Sequence, residues 1–176
     1  MRRILLLDDE QNVLQALQRS LRQIFKDMDL KIEAFTAPEM AVQRLNEMAF
    51  DFVISDYHMP GMNGVEVLRL TKQLQPHAIR MMLSASADFN TIIGAINEAE
   101  IFRYIAKPWN SEDLKDAILA AGKHRDLELE DSQLADELRV QRGAMTPQEQ
   151  EAKRLEESDP GITKVRWGPD GSVLLD

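Results

Sequence analysis

Three acidic residues hold most of the chemistry legible in this chain. Asp8 and Asp9 close one apolar run, Ile4-Leu5-Leu6-Leu7, and Asp56 closes another, Phe52-Val53-Ile54-Ser55. Each run is short, rich in leucine or β-branched residues, and followed directly by a helical pattern. Strands of a parallel α/β sheet read this way, and such sheets bind ligands beyond the carboxyl ends of their strands. Two neighbouring strands ending like this crowd three carboxylates into one crevice. Like charges about 4 Å apart repel by roughly 4 kcal/mol at an effective dielectric of about 20. A hard divalent cation with oxygen ligands relieves that repulsion. The plainer alternative is that the aspartates only cap the helices behind them, but further strand ends point to the same crevice. Ser84 closes a fourth run and Lys107, followed by Pro108, closes a fifth. With a cation held by Asp9 and Asp56, one Asp56 oxygen stays free to attack phosphorus, while Lys107 and Ser84 each hold an oxygen of the transferred group. Phosphoryl transfer is mainly positioning and charge neutralisation. A carboxylate nucleophile yields an acyl phosphate, a labile species suited to signalling.

The elements that must position these residues alternate strand and helix from residue 1 to about 123. The expected strands are Arg3–Leu7, Lys31–Phe35, Phe52–Ser55, Ile79–Leu83 and Phe102–Ala106. Between them, Val13, Leu14, Leu17, Leu21, Ile24 and Phe25 form an apolar stripe at helical spacing. Pro38–Met48 opens with proline at the first helical position. A third helix follows Gly64, a fourth is expected over Phe89–Glu98, and a fifth opens behind Asn110 or Ser111, both good N-caps. Repeated βα units imply an α/β fold, a five-stranded parallel sheet covered on both faces. Pro60, Gly61 and Gly64 make the segment after Asp56 a tight loop that brings backbone carbonyls beside it.

The fifth helix runs past the point where a compact domain needs it, to about Arg142, with Leu127, Leu134 and Leu138 on one face and Asp131 interrupting them. A short coiled coil and a solvated extension are both open readings. Thr146-Pro147-Gln148-Glu149 is a capping-box signature for a short helix reaching about Glu157. Ile162–Trp167 and Ser172–Leu175 then read as a β-hairpin around Pro169-Asp170. The division is thus 1–123, a helical extension over 124–145, and a short helix plus hairpin over 146–176.

Leu5-Leu6-Leu7-Asp8-Asp9-Glu10, the Asp56–Gly64 loop, Leu83-Ser84-Ala85 and Tyr104-Ile105-Ala106-Lys107-Pro108-Trp109 together resemble the receiver (CheY-like) domain of two-component response regulators. The resemblance covers 1 to about 123 and implies a doubly wound, flavodoxin-like (βα)5 fold. It implies that Asp56 accepts phosphate from a phosphohistidine on a sensor histidine kinase. Asp9, Asp56 and the backbone carbonyl of His58 are then ligands to Mg²⁺, with Asp8 acting through a bound water. Lys107 pairs with the phosphoryl group, usually through a cis peptide to Pro108; Ser84 is the switch hydroxyl and Tyr104 the aromatic that turns inward on activation. The face of the fourth helix, fifth strand and fifth helix would carry the change to a homodimer partner or another protein. His77 and His124 have no supporting motif and read as surface residues, and Trp109 reads as packing.

Composition narrows the setting. The chain has 176 residues, a formal net charge of -9 and no cysteine. That charge opposes direct nucleic-acid binding, and the cysteine count excludes disulfides and thiolate metal sites. Only four apolar residues follow Arg2-Arg3 before Asp8. No secretory leader or membrane span is read there, and a cytoplasmic protein is expected. From Asp126 to Asp159 eleven acidic residues face four basic ones, usually the mark of a solvated face. The leading expectation is a non-enzymatic phosphoacceptor with an interaction tail. One alternative is a fragment of a larger regulator with cyclic-dinucleotide phosphodiesterase or transcriptional output. Another is an aspartyl-nucleophile phosphatase, which adjacent Asp8-Asp9 with a remote Asp56 fits poorly. The terminal hairpin argues mildly for a finished chain.

Overall fold

The computed structural model describes residues 1–85 and 99–163. The helix expected over 89–98 and nearly all of the expected hairpin lie outside them.

Five strands, β1 (Arg2–Leu7), β2 (Leu30–Phe35), β3 (Phe52–Asp56), β4 (Ile79–Ala85) and β5 (Arg103–Lys107), pair in the order β2-β1-β3-β4-β5. Every pairing is parallel. Strand alternation divides β1 between two cores. Ile4 and Leu6 face α1 (Gln11–Ile24) and the long helix Ser111–Gln141, meeting Leu14, Leu17, Leu21, Leu114, Ile118 and Ala121. Leu5 and Leu7 face α2 (Pro38–Glu47) and α3 (Gly64–Leu74), meeting Ala41, Leu45, Val67 and Leu68. A one-residue slip of β1 would exchange these two sets, so the alternation pins the register.

The register places the site. Leu7 pairs with Ser55, so Asp8 and Asp56 follow side by side as the chain leaves the sheet. Ala85 pairs with Lys107 and Ser84 with Ala106, which brings the hydroxyl and the ammonium to the same end.

The opposite end of the sheet is tied to the long helix by charge. Asp51 accepts from Arg2 Nη1 at 3.1 Å, from the Arg3 amide at 2.6 Å and pairs with Arg125 Nη1 at 2.8 Å. Arg2 also pairs with Asp126 at 2.6 Å. Arg80, almost fully buried, donates to the carbonyls of Pro76, Ala78 and Ala99. The short helix Pro147–Ser158 has the expected capping box, with Thr146 and Glu149 exchanging hydrogen bonds. It folds back along the long helix through Lys153, which bonds Asp136, and reaches His77 through Glu157 at 3.4 Å. His77 was expected to be a surface residue; it is half-buried because the returning helix covers it. His124 is exposed as expected, stacked on Phe102 with ring centroids 5.1 Å apart.

Candidate functional site

Asp56 is the last residue of β3 and only 5% exposed, and Asp8, one residue past β1, is fully buried. Lys107, at the end of β5, reaches both: its Nζ stands 2.6 Å from Asp8 Oδ2 and 2.5 Å from Asp56 Oδ1. Asp8 Oδ1 also accepts from the Glu10 amide at 2.9 Å. Two buried carboxylates thus share one ammonium, and the pair carries excess negative charge before Asp9, exposed at the rim, is added.

Burial pushes the Asp56 carboxyl above the usual aspartate range. Lys107 and the His58 backbone amide pull the other way, while the charge of Asp8 adds to the rise. Burial also opposes charge on Lys107, but the hydrogen bonds it donates to Asp56 and Asp8 outweigh it and hold that ammonium above the ordinary lysine value. Ionisation of Asp56 is therefore resisted by its surroundings, and an added cation would ease it.

The loop after Asp56 is held by its backbone. Tyr57 N–H donates to Leu83 O and Gly64 N–H to Tyr57 O, each at 3.0 Å. Asn63 caps α3, accepting from the Glu66 amide, while Glu66 accepts from the Asn63 amide. A Cβ on Gly64 would stand 2.0 Å from the Asp56 carbonyl oxygen, so only glycine lets the helix start so close to the acid. Ser55, which sequence reading passed over, is buried and donates to that same carbonyl at 3.0 Å. Its only signal was a lone hydroxyl inside an apolar strand.

Ser84 is buried at the end of β4, and Tyr104 Oη donates to its backbone carbonyl at 2.8 Å. His58 is exposed, its ring edge-on to Tyr57 at 4.6 Å. Lys107–Pro108 is cis. Trp109 packs against the core and donates to Ser20 at 3.1 Å, as a packing residue should. Asp8, Asp56, Ser84, Tyr104 and Lys107 therefore meet at one sheet end, with Asp9 and His58 at its edge.

The donors suit a hard cation: carboxylate and carbonyl oxygens around a net negative centre. Among the described residues no three His, Cys, Asp or Glu side chains form a ready-made cage. A cation here would depend on backbone oxygen and water as well as carboxylates.

This constellation has known counterparts. The family model for the response regulator receiver domain matches residues 4–119. The chain belongs to that family. It is 31% identical to the hydrogenase transcriptional regulatory protein HoxA of Cupriavidus necator over 137 residues, covering 78% of this chain and 27% of HoxA. It is 28% identical to the response regulator protein TodT of Pseudomonas putida, covering 86% of this chain and 65% of TodT. The receiver domain of an HD domain-containing protein from Pseudomonas fluorescens Pf-5 superposes with a TM-score of 0.66 at 33% identity, covering 73% of this chain and 92% of that one. The chain therefore spans about a quarter of HoxA and 65% of TodT. As a receiver it is a signalling phosphoacceptor, and no described helix is long and apolar enough to cross a membrane.

Proposed function

We propose that Asp56 is the phosphoacceptor of a two-component phosphorelay, and that a sensor histidine kinase in the cytoplasm supplies the phosphoryl group. In the transfer, the P–N bond of a phosphohistidine breaks as an Asp56 oxygen forms the new P–O bond, and the imidazole leaves with the electron pair. Asp9, Asp56 and the His58 carbonyl would hold Mg²⁺, with Asp8 acting through a bound water, and the ion would supply charge neutralisation for a phosphoryl group. Lys107 already bridges Asp8 and Asp56, and that bridge is the observation on which the reading chiefly rests. From there its ammonium takes an oxygen of the incoming group, and the Ser84 hydroxyl takes another. Phosphate adds about 1.5–2 negative charges. This draws Ser84 toward it and shifts Tyr104, whose Oη now holds the Ser84 carbonyl. The change biases an existing equilibrium across β5, the start of the long helix and the segment before β5, and alters docking of a homodimer partner or another protein.

The test is incubation with a small phosphodonor and Mg²⁺, followed by intact mass. One phosphoryl mass is expected, lost on chelation and in Asp56→Asn. An adduct that persists in Asp56→Asn would overturn the assignment.

Coverage of only 27% of HoxA supports a second reading, in which the receiver governs an attached transcriptional or enzymatic output. Reading frame continuing in register past residue 176 would favour it.

A further inference from the structure

The long helix carries a row of leucines that the described residues leave largely open. Leu127, Leu134 and Leu138 are 51%, 58% and 50% exposed. At about 100° per residue they share one stripe with Ala120, His124, Asp131 and Gln141, all exposed. The residues facing the sheet (Leu114, Ala117, Ile118, Ala121) and those meeting the short helix (Ser132, Asp136) lie on roughly the opposite side. Among the described residues, the receiver and its returning helix thus leave Leu127, Leu134 and Leu138 open, while His124 at the start of the stripe stacks on Phe102.

The spacing is that of a heptad repeat. His124, Asp131 and Leu138 take a positions, and Ala120, Leu127, Leu134 and Gln141 take d positions. Flanking charges then decide the occupant. In a parallel pair each g residue meets the e residue about five positions further along the other helix. That sets Lys123 against Glu128, Glu130 against Ala135 and Glu137 against Arg142. Two contacts join opposite charges and none joins like charges, although the region around them is strongly acidic. A foreign partner has no reason to match this pattern, but a second copy matches it automatically.

We infer that residues 120–142 form a short parallel coiled coil with the same segment of a second copy of this chain. Asp131 sets two carboxylates against each other in the seam, which keeps the pair weak and reversible.

Because the chain has no cysteine, single cysteines report the geometry in the full-length protein. Leu134→Cys should oxidise to a covalent dimer, whereas Gln133→Cys, off the stripe, should not. In sedimentation equilibrium the wild type should self-associate. Leu127→Glu with Leu134→Glu should weaken that by about 100-fold or more with the circular dichroism spectrum unchanged. Asp131→Leu should tighten it. Arg142→Glu should weaken it and Glu137→Arg in the same chain should restore it. A monomer at every concentration, equal cross-linking at 133 and 134, or failure of the charge swap would overturn the inference. A monomer that begins to associate only when residues 164–176 are removed would do so too, and would assign the stripe to the chain's own end.

Discussion

At the scale of single residues, the site is defined by a mismatch of charge. Two buried carboxylates meet one ammonium, and Asp56 bears the cost of burial. Its carboxyl pKa is raised in the fold, so the native state holds a proton more tightly than the unfolded chain. Native stability must then fall as pH rises from the ordinary aspartate range through the raised value, the reverse of an aspartate whose ion pair outweighs its burial. In metal-free buffer, Asp56→Asn should therefore unfold at higher urea than the wild type at neutral pH, with the gap closing as pH drops through that window. A variant less stable at neutral pH and equally unstable in acid would contradict this. The same mismatch sets Lys107 apart from a passive surface lysine: its ammonium is shared between Asp8 and Asp56.

At the scale of elements, the start of α3 is the tightest fit. Alanine at Gly64 would place its Cβ 2.0 Å from the Asp56 carbonyl, where backbone, not a flexible side chain, must yield. Gly64→Ala should cost at least about 1–3 kcal/mol by urea unfolding and should also lower the phosphorylation rate, since the displaced backbone carries the proposed acceptor, Asp56. Equal stability with an equal rate would show that the loop has slack. Much at this scale was legible beforehand. Apolar runs closed by Asp8, Asp56, Ser84 and Lys107 located four of the five strands to within a residue or two, and the run Lys31–Phe35 located the fifth, because strands of a parallel sheet show mainly as short apolar runs. The cap residues Asn110 and Thr146 started helices where their side chains predicted. Polar ties between distant segments were not legible. Nothing periodic marks Asp51 as the partner of Arg2 and Arg125, or Lys153 as the partner of Asp136, since such pairs depend on where charged side chains land after folding. The return of the short helix over His77 was missed for the same reason.

At the scale of the molecule, the site and the ionic tie occupy opposite ends of one sheet. β1 lies between β2 and β3, so the first strand made must wait for later chain before it is enclosed. Arg125 and Asp126 then fasten the long helix across the base through Asp51 and Arg2. A chain cut after residue 123 loses both, and should be about 1–3 kcal/mol less stable by urea unfolding than one cut after 130. Equal midpoints would show the tie to be dispensable. The family match stops at residue 119, short of these residues. An engineer grafting a foreign output onto this receiver should therefore choose a splice point beyond Asp126: a chimera joined at the edge of the match would keep the phosphate chemistry on a platform whose far end had come unlatched.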